Sequence, residues 1–406
     1  MGQVLTVPGA RAPPALTEHL VEEILVRVAT PRDLIRASAA CATFRRLVAA
    51  ASFLRRYRSL HPPVLLGVVS PLGFLPAEVP HPNALAAYAL ARDADFSPSH
   101  LPPRRKASWS RCDARDGRVL WKSSHSASGL ALPQLAVCDP LTRGYTLLPP
   151  IPEGLVASQL LGPALDVHFD CFDAFFVPSG DYEEAHFRVI GWTYCEAMAA
   201  VFVYSSLSST WTAGTSTTWN ALGLVLEAIL ENSWWPSYVY GCFYWHVRRS
   251  NKLLKLDINR MEFSAVGLLP KLKNQWFVVA VEAGEGRIGL LKHIYGQGIP
   301  ESLCYSVRQN EGDNDANGHP VETTIQLPSD YGKYRVVAAA QGYIFLQGSR
   351  FVYQQGTQRL IDGGSAFFSI EIKTLKIQRV CSTRGALCDH VLPYFGFPPF
   401  LSPTRI

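Results

Sequence analysis

Apolar residues between 18 and 48 recur at helical spacing. Leu20, Val21, Ile24, Leu25 and Val28 fall three or four positions apart, which places them on one stripe of a helix from about Glu18 to Val28. Thr17 stands at the N-cap position, and Glu18 puts a carboxylate in the positively polarised first turn. A second helix opens at Thr30-Pro31-Arg32-Asp33, a capping-box arrangement with proline at the first helical position. Leu34, Ile35, Ser38, Cys41, Phe44, Leu47 and Val48 continue it as a second apolar face, with Arg32, Arg36, Arg45 and Arg46 mostly on the other side. A third short helix is expected across Phe53 to Leu60, ended by Pro62-Pro63. A unit this small cannot bury two such faces alone. Their surplus must meet the rest of the chain or another protein.

Beyond residue 62 the period changes. Pro71, Pro76, Pro80, Pro82, Pro98, Pro102 and Pro103 mark residues 62–110 as a connection with little room for helix. From 111 to about 400, short β-like runs alternate with turns. Gly117 to Trp121 precedes Leu135 to Pro149, and Val201 to Ser205 precedes Ser208 to Trp211. Gly241 to His246 precedes Leu253 to Phe263, and Gly342 to Leu346 precedes Ala366 to Leu375. Leu303 to Val307 belongs to a further, poorly marked unit. Matching turn positions at Asp139, Ser205, Asp257 and Glu371 are separated by 66, 52 and 114 residues, the last gap being about twice a single repeat. Four-stranded units at this period point to propeller blades, five or six of them. The expected fold class is therefore α+β, a small helical unit followed by a mainly antiparallel β-propeller-like domain. Its boundaries are a tail over 1–14, helices over 15–61, the connection over 62–110 and the β domain over 111–400.

Composition narrows the class. The chain of 406 residues is 48% hydrophobic and only 17% charged, which argues against disorder. No apolar run reaches the roughly 18 to 20 residues of a membrane span, and residues 1–15 lack the layout of a secretory signal. Nine cysteines without a CxxC pair fit reduced intracellular thiols, so the expected location is cytoplasm, nucleus or both. Residues 1–122 hold 17 Lys and Arg against 9 Asp and Glu, while the remainder holds 21 against 24. The front-end arginines fall on helix faces and in Arg104-Arg105-Lys106 without interleaved aromatics, so solvated faces explain them better than nucleic acid. Met1-Gly2-Gln3-Val4-Leu5-Thr6 fits the N-myristoylation pattern at Gly2, with chance as the competing reading.

Catalytic motifs are missing: there is no Walker loop, GxGxxG after a strand, HExxH or GxSxG. Asp166, His168 and Asp170 alternate along a strand-like run, with Asp173 just beyond. That is an acid/base or cation cluster on one reading and a solvated face on the other. Cys381, Cys388, Asp389 and His390 are spaced too widely for a zinc module and read as strand cysteines. Trp234-Trp235-Pro236 with Tyr238, Tyr240, Tyr244 and Trp245 is mainly core and inter-blade packing, part of it available to a recognition surface. No cofactor or metal is expected.

The run from Leu16 through Val28, then Pro31 to Ser38, then Cys41-Ala42-Thr43-Phe44-Arg45-Arg46-Leu47, resembles the F-box motif. Phe53-Leu54-Arg55-Arg56-Tyr57 and Pro62 to Gly67 extend the likeness to the large F-box families of grasses, and the later turns resemble Kelch-like or F-box-associated repeats. The motif covers about a tenth of the chain. Three positions depart from the family pattern: Thr17 replaces a proline, Ala40 a valine and Phe44 a tryptophan. The resemblance implies docking to a Skp1-like adaptor, and through it a cullin, by Leu16, Leu20, Ile24, Leu25, Pro31, Leu34, Ile35, Cys41 and Phe44. The β domain would then hold an unidentified target protein, making the chain a non-catalytic receptor of a ubiquitin ligase. An interaction module without a ligase role, or an enzyme with a pocket in the propeller, are the alternatives.

Overall fold

The computed structural model describes residues 16–103, 108–124, 132–159, 171–178, 186–224, 236–247, 250, 252–268, 278–296, 299–308, 322–331, 333–353, 360–384 and 391–397. The chain divides into two compact units, with the boundary between Pro63 and Val64.

The first unit holds α1 (Glu18–Leu25), α2 (Pro31–Ala40), α3 (Ala42–Ala49) and α4 (Ala51–Leu60). Both expected caps form. Thr17 Oγ1 accepts from Leu20 N at 3.4 Å, and Thr30 Oγ1 accepts from Asp33 N at 3.1 Å. The second helix, expected as continuous, is broken at Cys41. That residue is extended (φ −155°, ψ 161°), and its Sγ accepts from Phe44 N at 3.5 Å, so it ends α2 and caps α3. With the break, α2 and α3 pack on each other and Leu34 and Val48 both turn inward. Phe53 and Tyr57 of α4 complete the interior. The Tyr57 hydroxyl donates to Val28 O at 3.0 Å, and a His61 ring nitrogen lies 2.7 Å from Val26 O. These bonds satisfy carbonyls at the end of α1 that the helix itself leaves open. Burial pushes the Tyr57 hydroxyl up to about 12, which keeps it a donor.

The second unit opens with β1 (Val64–Ser70) and β2 (Gly73–Pro76), followed by α5 (Ala84–Asp93). Four strands come next: β3 (Trp109–Arg115), β4 (Arg118–Ser123), β5 (Leu135–Cys138) and β6 (Tyr145–Leu147); then comes α6 (Glu153–Gln159). The chain continues through β7 (Cys171–Val177), β8 (Arg188–Tyr194), β9 (Met198–Ser205) and β10 (Thr210–Thr218). After these lie β11 (Ser237–Val239), β12 (Cys242–Val247), β13 (Lys252–Asp257) and β14 (Glu262–Gly267). The fifth set is β15 (Val278–Glu282), β16 (Ile288–Gly296), β17 (Ile299–Arg308) and β18 (Glu322–Gln326). The sixth is β19 (Lys333–Ala340), β20 (Tyr343–Tyr353), β21 (Leu360–Glu371) and β22 (Lys376–Thr383). The last described strand, β23 (Leu392–Gly396), returns to pair antiparallel with β1, giving a sheet ordered β2-β1-β23. Five four-stranded sheets and this three-stranded one form a six-bladed antiparallel β-propeller. Sharing one sheet between the first and last strands removes a free end from the ring.

The segment 62–110 is thus not a connection. It supplies two strands of the closing blade, the start of β3, and a helix in the proline-free window Ala84–Asp93, which buries Ala84, Ala86, Ala87 and Leu90. The other prolines fall in turns or, like Pro76, at strand ends.

The core lies between blades. Separate apolar clusters fill the seams between the second and third, third and fourth, fourth and fifth, and fifth and sixth blades. A larger one flanks the closing blade on both sides. Turn chemistry fixes the hairpins. Asp116-Gly117, Tyr240-Gly241 and Gln341-Gly342 join first to second strands with both residues at positive φ (52° and 75°, 44° and 80°, 52° and 76°). This is the primed turn that matches strand twist, and glycine meets its second position without strain. Asp139, Ser205, Asp257 and Glu371 each end a third strand or directly follow it, as their spacing predicts. The double gap after Asp257 contains β15 to β18, so the poorly marked unit around Leu303 is a complete blade.

Candidate functional site

The nine residues expected to face an adaptor do not share one environment. Leu16, Leu20 and Ile24 are 60%, 48% and 55% exposed, and Cys41 is also exposed. Ile35 and Phe44 are half-buried. Leu25, Pro31 and Leu34 are buried. The physical reason is the helical period: the stripe read on α1 is wide enough to serve two sides, and the unit's own core takes Leu25 and Val26. Leu25, Pro31 and Leu34 therefore belong to the unit's own interior. The exposed remainder is a Leu16, Leu20 and Ile24 stripe, with Cys41 exposed and Ile35 and Phe44 half-buried.

Ion pairs tie α1 to its neighbours. Glu18 pairs with Arg46 of α3, and Glu23 pairs with Arg56 of α4 and, at 3.1 Å, with Arg27. The Arg56 guanidinium holds the Glu23 carboxyl below its ordinary range. These are surface pairs, so they orient α1 more than they stabilise it.

In the propeller, polar side chains stitch blade to blade. Asp113 on β3 accepts from Ala114 N and, across the seam, from Phe176 N, both at 2.8 Å. Burial nevertheless raises its carboxyl above the ordinary value. Trp211 Nε1 donates to Pro149 O at 2.7 Å, Glu301 Oε2 accepts from Tyr334 N at 2.8 Å, and the Tyr394 hydroxyl donates to Gly117 O at 3.0 Å. None of these links has a readable local signal, because each joins residues distant in sequence.

Of the acidic cluster read from sequence, Asp166, His168 and Asp170 lie outside the described residues. Asp173 is on β7 and pairs with Lys122 of β4, whose Nζ also donates to Phe172 O at 2.8 Å. Its described role is another seam. Cys381 is buried on β22, while Cys388, Asp389 and His390 lie outside the described residues, as do Gly2, Trp234 and Trp235. Among the described residues, no group of three or more His, Cys, Asp and Glu could hold a metal. Tyr244 is buried, and Trp245 stacks on Trp192 at 4.8 Å between the third and fourth blades, so the described aromatics there are packing. Among the described residues no helix is long and apolar enough to cross a membrane.

No family model matches the chain, and no curated protein matches it. Among solved structures it aligns with an uncharacterised protein from Listeria monocytogenes at 8% identity, over 73% of this chain and 91% of that one, with a TM-score of 0.32. It aligns with a prolyl endopeptidase at 10% identity, over 75% of this chain and 52% of that one (TM-score 0.29). An oligogalacturonate lyase from Vibrio parahaemolyticus matches at 9% identity, over 69% and 80% (TM-score 0.30). The chain spans about half the length of the prolyl endopeptidase. Scores this low transfer nothing to this chain, and the propeller assignment rests on its own strand pairing.

Proposed function

We propose that this chain is the substrate-receptor subunit of a Skp1–cullin–F-box ubiquitin ligase. The helical unit would hold a Skp1-like adaptor and, through it, a cullin, while the propeller would hold a target protein. The observation that carries the reading is the aliphatic stripe of Leu16, Leu20 and Ile24, left in solvent by a unit whose own interior is already filled. A stripe of this kind, flanked by polar positions, is what a partner groove takes up. The F-box likeness of the same residues supplies the partner class. On this reading the chain carries no catalytic group, works in cytoplasm or nucleus, and leaves ubiquitin transfer to the assembled ligase.

The test is binding to a purified Skp1-like adaptor. Wild type binds, and Leu20→Asp plus Ile24→Asp weakens binding on the order of a hundredfold while helicity is unchanged, since neither side chain is in the core. Unaltered binding in the double variant sinks the assigned face. A wild-type chain with no adaptor affinity sinks the ligase role.

A further inference from the structure

The helical unit carries more positive charge than its ion pairs consume. Residues 16–63 contain eight arginines and no lysine, against three glutamates and one aspartate. Arg27, Arg36, Arg46 and Arg56 are engaged with Glu23, Asp33, Glu18 and Glu23 respectively. Arg32, Arg45 and Arg55 are exposed, with no ion pair for any of them among the described residues, and Arg32 and Arg45 are the two on α2 and α3. Their positions matter. Arg32 lies three residues before Ile35 on α2, hence on the same helix side. Arg45 follows Phe44 and lies four residues after Cys41, which caps α3. The Glu18 to Arg46 pair brings the start of α1, beside Leu20, to α3 one residue from Arg45. Of the α1 carboxylates, Glu18 and Glu23 are in ion pairs with Arg46, Arg27 and Arg56, and Glu22 acts on Arg56 through space, with no ion pair of its own among the described residues.

We propose that Arg32 and Arg45 form a basic rim around the apolar stripe, and that the protein docking there presents an apolar groove bordered by carboxylates. This rests on the adaptor-receptor reading and adds the partner's chemistry to it. Exposed rim charges contribute little to holding a complex once formed, because water and salt screen them. They act on encounter: opposite charge steers the partners together and raises the association rate. The apolar stripe then sets how long the complex lasts.

The experiment measures association and dissociation rates of full-length chain with a purified Skp1-like adaptor across salt. The expected result is an association rate that falls on the order of tenfold between low salt and about 0.5 M NaCl, with dissociation nearly unchanged. Arg32→Glu plus Arg45→Glu should slow association about tenfold at low salt and abolish most of the salt dependence, while Arg32→Lys plus Arg45→Lys retains both. Tight binding with salt-independent association, equal in the charge-reversed variant, overturns the rim and leaves the adaptor reading standing. A charge reversal that acts only on dissociation overturns it too, by making the arginines buried contacts. No adaptor binding at any salt overturns both proposals.

Discussion

In the helical unit Leu25, Val26, Leu34, Val48, Phe53 and Tyr57 are buried, while Leu16 just before α1, Leu20 and Ile24 along it, and Leu60 at the end of α4 stay in solvent. In the propeller, neighbouring sheets cover one another through successive apolar seams, and the last described strand pairs with β1 to close the ring. Both units leave large apolar side chains in solvent, Leu72, Val79, Leu85, Tyr88 and Leu207 among those of the propeller, but only the propeller's sheets cover one another in a closed series. The difference teaches where to look for a constitutive partner. A ring closed by pairing its first and last described strands has no structural need for one, whereas the helical unit exposes a stripe of Leu16, Leu20 and Ile24 that its own core does not use.

The largest effects should come from the two cores, and they should separate. Phe345 is 1% exposed and meets the Phe395 ring edge-on at 5.8 Å, where the sixth blade meets the closing one. Phe345→Ala should cost about 3–5 kcal/mol. All nine tryptophans lie at position 109 or later, so tryptophan fluorescence reads this loss in the propeller alone. Leu34 is fully buried in the helical unit, and Leu34→Ala should cost about 2–5 kcal/mol there. Hydrogen exchange is then expected to rise at the amides of α1 to α4 while the fluorescence transition holds. If both variants loosen both units alike, the two cores are one cooperative system and the comparison fails.

A smaller, pH-dependent effect belongs to the propeller. His81, between β2 and α5, is buried, and burial pushes it down from 6.5 to about 4. Its Nδ1 accepts from Asn83 N at 3.2 Å, a role that requires the neutral ring. Because the folded value lies below the unfolded one, the unfolded chain takes up a proton the folded chain refuses. The stability is fully present above about 6.5 and is lost as pH falls toward 4, by at most about 3 kcal/mol. Urea midpoints followed by tryptophan fluorescence should therefore fall less between pH 7 and 4.5 in His81→Gln than in wild type. Equal slopes would remove His81 as the source.

How far the sequence carried depends on whether a signal was local. Periodicity and caps found α1 and the start of α2, and glycines found the second strand of three blades. Turn residues at Asp139, Ser205, Asp257 and Glu371 located four third strands. Yet the residue four places on from each, Arg143, Ser209, Met261 and Leu375, sits at positive φ (60°, 54°, 51° and 55°), and nothing in those side chains announces it. Hairpin geometry imposes that conformation, not residue preference. The segment 62–110 misled because prolines were counted without asking where they fall: α5 fits between Pro82 and Pro98. On the candidate face the helical period located α1 but could not divide its wide stripe between core and solvent. That division depends on α4, whose Phe53 and Tyr57 fill the interior.

The smallest expected effect concerns Thr17, where the F-box pattern has proline. Thr17 has φ −68° and ψ 153°, within the range proline imposes, so Thr17→Pro asks no backbone change of this residue. Its carbonyl, which proline keeps, accepts from Val21 N at 3.0 Å. The hydroxyl contributes only the long 3.4 Å cap to Leu20 N, and losing it should cost less than about 1 kcal/mol. Proline also narrows the unfolded chain, which offsets part of that loss. Thr17→Pro should accordingly leave helical-unit stability within about 0.5 kcal/mol of wild type and adaptor affinity unchanged. A large gain in affinity would mean that Thr17 handicaps the stripe beside it. A large loss of stability would mean that the hydroxyl, despite its distance, anchors the start of α1, and the boundary between core and contact face would have to be redrawn one turn earlier.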